Sequence, residues 1–238
     1  MANIVWVTRP EAHAKKTARA LQNVNATPLI SPVLELIEDE HAKDLCASHD
    51  NATPIIVTSQ YALAILARYT THRARPLYVT GEILKRKALT FGFTHVRTAK
   101  GDARSILPIL TNNTPYIIYA HGNHTAFDMP SALHERGILC TPLLCYHSRC
   151  SAIIDDTVLS ALHHHTLDAI LCYSIFSAQC LHRLLHHHKM QIEAYDVPLY
   201  CISPIIAQHC KEMGFKHVFV HQPAHIIQAV GGDLSSHL

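Results

Sequence analysis

The chain has 238 residues, of which 48% are hydrophobic and 16% are charged, and its formal net charge is +2. This composition excludes an intrinsically disordered chain and argues against nucleic-acid binding, and the length allows two domains of roughly 100–120 residues. No apolar run reaches the ~18–20 residues of a membrane span, and the first residues lack the basic leader and apolar run of a signal peptide, so we expect a cytosolic protein without a membrane partner.

Strand and helix patterns alternate through the first half of the chain. The apolar run Ile4–Val7 predicts a strand, and Pro10 fits the first turn of a following helix. Ser59 is placed to cap a later helix, and Gly92 to end the one after it. Further strands are predicted at 28–32, 54–58, 77–80 and 94–97, with an extended segment at 33–37 and a short helix over 106–110.

The second half repeats this pattern. The stretch 76–81, followed by 91–96, recurs at the same spacing as 198–203 followed by 213–218, which indicates an internal duplication. A helix is predicted from about 123 through Leu133, ended by Gly137. Strands are predicted at 116–120, 142–146, 169–174, 198–203 and 218–220. Strands alternating with helices predict α/β domains with parallel sheets. From the pattern alone, the simplest arrangement is two domains in tandem along the chain.

In sheets of this class, ligands bind outside the carboxyl ends of the strands. We therefore expect a site in the strand-end loops, facing a cleft between the domains. Their hydroxyls and helix N-termini suit carboxylates or phosphates. The candidate binding residues are Thr8, Arg9, Thr58, Ser59, Thr80, Gly81, His121, Gly122, Ser174 and Ser203.

Each of these residues also has a purely structural interpretation. Ser59 and Ser174 are equally well explained as helix caps, and Arg9 as a surface residue. Tyr146 ends an apolar strand, where a tyrosine commonly lies at the edge of the core. The stretch from residue 68 to residue 104 contains nine lysines and arginines but only two acidic residues. This local excess of positive charge suggests an anionic partner or a solvated helix face.

Cofactor and metal signals are absent from the sequence. It contains no glycine-rich phosphate loop, no GxSxG, no HExxH and no paired CxxC, so we expect no cofactor and no metal. The histidine triplets 163–165 and 186–188 cannot share one ion, because adjacent side chains on a helix point to different faces. The eight cysteines are expected to be reduced core residues.

Several short motifs occur in a distinctive order. They are Val7–Pro10, Val57–Ser59, Val79–Gly81, Gly122, Gly137, Cys145-Tyr146, Tyr173-Ser174, Ile202–Pro204 and Gly214-Phe215. Together they cover nearly the whole chain and resemble the uroporphyrinogen-III synthase family.

The resemblance implies two flavodoxin-like parallel-sheet domains joined by a two-stranded connector. The first domain would comprise 1–32 and 151–238, the second 38–145, and the connector 33–37 and 146–150. It also implies a hydro-lyase of haem biosynthesis that cyclises hydroxymethylbilane to uroporphyrinogen III, with loss of water and inversion of ring D. In such an enzyme Tyr146 would assist the loss of hydroxide. We expect this enzyme to be a monomer.

Some positions depart from the family pattern. Ser203 stands where the family has glycine, Ile206 replaces a threonine, and His121 occupies a common arginine position. Two alternatives therefore stay open, a non-catalytic two-domain binder of an anionic metabolite and a homologue that has lost activity.

Overall fold

The computed structural model describes residues 2–49, 52–111 and 114–231. These residues form two compact units. The first unit combines the chain up to Glu35 with the chain from Arg149 onward, and the second is Leu36–Ser148. Among the described residues, no helix is long and apolar enough to cross a membrane.

The strands and helices alternate along the chain. The strands, in chain order, are β1 (Ile4–Val7), β2 (Thr27–Ile30), β3 (Leu34–Glu38), β4 (Ile55–Val57), β5 (Leu77–Thr80), β6 (Val96–Ala99), β7 (Tyr116–Gly122), β8 (Leu139–Cys150), β9 (Ala169–Cys172), β10 (Leu199–Cys201) and β11 (Val218–Val220). The helices are α1 (Glu11–Gln22), α2 (Ala42–Ser48), α3 (Gln60–Tyr69), α4 (Gly81–Thr90), α5 (Met129–His134), α6 (Asp156–His163), α7 (Ile175–His188), α8 (Gln191–Tyr195), α9 (Pro204–Glu212) and α10 (Ile226–Gly231), with a 3-10 helix over Ala103–Ile109.

The first unit is organised around a sheet with the order β11-β10-β9-β1-β2, in which all four pairings are parallel. Its central strands are apolar throughout, because helices cover both faces of a parallel sheet. Val5, Trp6 and Val7 in β1 are fully buried, and the Trp6 indole donates to the Ser31 carbonyl at 2.7 Å.

The second unit contains a sheet with the order β3-β8-β7-β4-β5-β6, and β8, β7, β4, β5 and β6 run parallel. The central strand β4 is wholly buried. Parallel strands connected by helices in both units confirm the predicted α/β class.

The region after β7 differs from the prediction. The helix expected from about 123 begins only at Met129, because the Asp128 carboxylate caps it by accepting from the Ser131 amide at 3.1 Å. Residues 123–128 are therefore a loop beside the end of β7. The expected short helix at 106–110 is a 3-10 helix that contains Pro108, and the strand at 142–146 is the middle of the longer β8.

The chain passes between the units twice, after Glu35 within β3 and after Ser148 within β8. The predicted domain bounds and two-stranded connector stay predictions, and residues 232–238 of the predicted first domain lie outside the described residues. The duplication also stays a prediction. The two similar stretches each fold as a strand, a helix, a glycine with positive φ and a strand, with φ of 88° at Gly92 and 104° at Gly214.

Two cysteines differ from the expectation that all eight are reduced. Cys150 and Cys180 form a disulfide within the first unit, because β8 and α7 bring their Cα atoms to 5.0 Å, inside the range that a disulfide spans.

A buried arginine hydrogen-bonds to two backbone carbonyls that precede β4. The Arg75 guanidinium is 1% exposed and donates to the carbonyls of Thr53, at 2.6 and 3.0 Å, and of His49, at 2.7 Å. We expect Arg75→Lys to lower the free energy of unfolding by about 1–3 kcal/mol, because an ammonium cannot reproduce this planar set of donors. Urea unfolding measures the change. The exposed Arg86→Lys is the control, and equal losses in both variants would contradict the assignment.

Candidate functional site

A cavity of about 330 Å³ lies at the carboxyl ends of strands in the second unit. It forms there because β7, β4 and β5 are parallel neighbours whose ends meet at one edge of the sheet. Six predicted residues line it, namely Thr58, Ser59, Thr80, His121, Gly122 and Tyr146. Gly81 follows Thr80 with a left-handed φ of 71° and lies outside the lining.

The ring of Tyr146 lies directly against the backbone of Gly122. The pairing of β7 with β8 shifts register between His121 and Gly122, so that Gly122 lies opposite Tyr146. A Cβ atom on Gly122 would come within 2.4 Å of Tyr146 Cζ. Gly122 has no positive φ, so the glycine is required by this close approach and not by its backbone conformation.

The phenol of Tyr146 is held by Ser59. Its hydroxyl donates to Ser59 Oγ at 3.0 Å, while the same oxygen caps α3 by accepting from the amides of Tyr61 and Ala62. Ser59 therefore caps a helix and also orients a phenol. Burial raises the pKa of Tyr146, so the phenol keeps its proton at neutral pH.

His121 presents an unpaired nitrogen. Its Nδ1 lies 2.8 Å from the Gly122 carbonyl, and since a carbonyl only accepts, Nδ1 carries the proton. Nε2 is buried without a hydrogen-bond partner among the described residues. The ring stacks on Tyr119, with centroids 4.9 Å apart, because residues two apart on a strand share a face.

Several residues that line the cavity were not among the predicted site residues. Burial raises the pKa of Tyr119, which hydrogen-bonds to Thr58, so a second protonated phenol borders the cavity. Arg104 lies over the ring of Phe127, with Cζ 5.5 Å from its centroid, and adds a positive charge. Strand alternation from His121 could have identified Tyr119. Arg104 lies in the 3-10 helix and belongs to the basic segment 68–104, which suggested an anionic partner without singling out this residue. Phe127, in the loop 123–128, left no comparable signal.

The predicted residues of the first unit are engaged mainly with their own fold. The Thr8 hydroxyl is buried and donates to the Leu171 carbonyl, which links β1 to β9. The Arg9 guanidinium lies 4.3 Å from the centroid of Tyr173 and donates to Thr17 Oγ1 at 3.3 Å.

The two serines of the first unit differ in what they do. Ser174 caps α7 by accepting from the Ser177 amide at 3.0 Å. Ser203 precedes α9, but its side chain makes no capping hydrogen bond. Ile206, which stands where the family pattern has threonine, is 5% exposed and packs in the core.

Comparisons with known proteins give one matching family and two structures with a similar fold. The family model described as uroporphyrinogen-III synthase HemD matches residues 15–228. A mutant uroporphyrinogen III synthase from the extremely thermophilic bacterium Thermus thermophilus is 15% identical, covers 96% of this chain and 97% of its own, and has a TM-score of 0.59. The uroporphyrinogen-III synthetase of Helicobacter pylori is 14% identical, covers 97% and 98%, and also scores 0.59. At such identities the two structures support the fold alone. No curated protein matches the sequence.

The contact between Gly122 and Tyr146 predicts a strong coupling. Gly122→Ala should lower the free energy of unfolding by about 1–3 kcal/mol, because the new methyl group displaces the ring. In a Tyr146→Ala background the same change should cost much less, since the ring is gone. Urea unfolding of the four proteins in this cycle measures the coupling, and an equal cost in both backgrounds would show that the ring does not require the glycine.

Proposed function

The chain belongs to the uroporphyrinogen-III synthase family, and from that premise we propose that the cavity of the second unit binds the reacting end of the substrate and that Tyr146 assists the loss of hydroxide. The reaction is the cyclisation of hydroxymethylbilane to uroporphyrinogen III, with loss of water and inversion of ring D, and it makes the protein a hydro-lyase of haem biosynthesis. We further propose that the enzyme acts as a cytosolic monomer without a cofactor.

The reaction requires the protein to position the substrate and to supply one proton. The lone pair of a pyrrole nitrogen expels the terminal hydroxyl as hydroxide, and the resulting electrophile is attacked by the far ring. Closure without an enzyme yields the type I isomer, so the protein must hold a flexible chain in the geometry that inverts ring D. A general acid beside the leaving oxygen lowers the barrier further.

The observation that carries the role of Tyr146 is its hydrogen bond to Ser59 inside the cavity. Burial raises the pKa of the phenol, so the proton is present when the leaving group needs it. Ser59 accepts from Tyr146 and keeps its own proton, which it can donate into the cavity. The pair therefore supplies two hydroxyl protons close to each other.

The remaining polar groups suit a substrate whose side chains end in carboxylates. Arg104 offers an exposed guanidinium at the cavity, and Thr58 and Thr80 offer hydroxyls. The free Nε2 of His121 can accept a hydrogen bond from a pyrrole N–H. We propose further substrate contacts in the first unit at Arg9, Thr8, Ser174 and Ser203. Of these, Ser203 is best suited to bind substrate, because its hydroxyl makes no capping hydrogen bond.

The first test distinguishes an active synthase from a non-catalytic binding protein and from a homologue that has lost activity. The purified protein is supplied with hydroxymethylbilane, and the uroporphyrin isomers are resolved. We expect enrichment of type III, because the protein imposes the inverting geometry. A product that is type I alone would contradict the enzymatic assignment for this chain.

Tyr146→Phe tests the proton donor. We expect kcat to fall about 10- to 100-fold with folding retained, because the ring still packs on Gly122 while its proton is lost and Ser59 remains. Tyr61→Phe is the matched control, since its ring contacts Tyr146 edge-on at 5.0 Å while its hydroxyl donates to the Leu36 carbonyl. An unchanged kcat in Tyr146→Phe would remove this residue from the mechanism.

His121→Phe tests substrate binding by Nε2. The new ring can keep the stack on Tyr119 but accepts no hydrogen bond, so KM for hydroxymethylbilane should rise roughly 2- to 10-fold with a smaller change in kcat. Steady-state kinetics measure both parameters, and circular dichroism checks the fold. If KM stays at the wild-type value, His121 does not contact the substrate.

A further inference from the structure

Three buried thiols converge in the first unit, apart from the cavity of the second. Cys172 ends β9, Cys201 ends β10 and Cys210 lies in α9. All three side chains are fully buried, and their Sγ atoms lie within 4.8 Å of one another. Among the described residues, these three cysteines are the only group of three potential metal ligands that lie close enough together to share one ion.

The sheet register produces this convergence. β9 and β10 are parallel neighbours in which Cys172 pairs with Cys201, so both side chains project from the same face at the same level. The chain then enters α9, which packs back against β10 and brings Cys210 onto that face. The sulfurs of Cys201 and Cys210 lie 3.9 Å apart.

We propose that Cys172, Cys201 and Cys210 form a binding site for a soft thiophilic cation, for which Cu(I) is the best match. Three thiolates at a metal–sulfur distance of about 2.3 Å are held roughly 3.8–4.0 Å apart, so the observed spacing needs little contraction. Thiolate sulfur selects soft cations over Mg²⁺ and Ca²⁺. Binding displaces the thiol protons as the metal–sulfur bonds form, with no change of oxidation state.

The surroundings favour Cu(I) over zinc. Structural zinc almost always takes four ligands, and the described residues supply three here. The position is fully buried, which leaves no solvent-facing place for a fourth ligand such as water.

The test uses the full chain with ascorbate under nitrogen. Ascorbate keeps copper as Cu(I) and leaves the Cys150–Cys180 disulfide intact, so that pair cannot contribute thiolates. The protein is titrated with Cu(I) in competition with bicinchoninate, a chromogenic Cu(I) chelator. We expect one copper retained per chain, a rise in the thermal unfolding midpoint, and a copper X-ray absorption spectrum with three sulfur ligands and no nitrogen or oxygen.

Single variants assign the ligands. Cys201→Ala and Cys210→Ala should each weaken Cu(I) retention by at least about tenfold, because changes to residues that merely orient a ligand already cost ~10–100-fold. Cys145→Ala is the matched control, since Cys145 is a buried thiol of the second unit that hydrogen-bonds to Cys46. It should retain copper as wild type does.

Three results would overturn the proposal. The first is folded wild-type protein that retains no copper against the chelator. The second is retention in Cys210→Ala equal to that of wild type. The third is a copper spectrum without three sulfur ligands, a readout that needs no variant and therefore holds even if the alanine variants fail to fold.

Discussion

The contact of the Tyr146 ring with the Gly122 backbone is the constraint on which the candidate site depends. A register shift between β7 and β8 places the ring there, and the phenol then reaches Ser59 at the start of α3. One side chain thereby ties together β8, the end of β7 and the first turn of a helix. A methyl group at 122 would separate them, so the smallest residue in the cavity decides its geometry.

The two units use similar strand ends for different purposes. In the second unit the hydroxyls and the unpaired His121 nitrogen border a cavity. In the first unit Thr8 bonds to the Leu171 carbonyl and Ser174 caps α7, so these hydroxyls already have partners within the fold. Buried polar groups need such partners, and a hydroxyl used in this way has less capacity left for a ligand.

Local patterns predicted much of this protein. Apolar runs such as Ile55–Val57 with Ser59 after them specify a buried strand and a capped helix, because those preferences act over a few residues. The helix expected from about 123 begins only at Met129, because the start of a helix depends on which residue caps it and that residue is Asp128. Strand alternation also places Tyr119 on the same face as His121, and the two rings stack.

The sequence by itself determined the α/β class, the family and the strand-end loops in which a site was expected, since repeated motifs and glycines are read along the chain. Only the tertiary structure decided that Tyr146 packs on Gly122, that Arg104 reaches the cavity, and that Cys150 meets Cys180. It also brought Cys172, Cys201 and Cys210 together. The physical reason is that these contacts depend on which strands become neighbours and in which register, and neither is encoded in the spacing of the residues concerned.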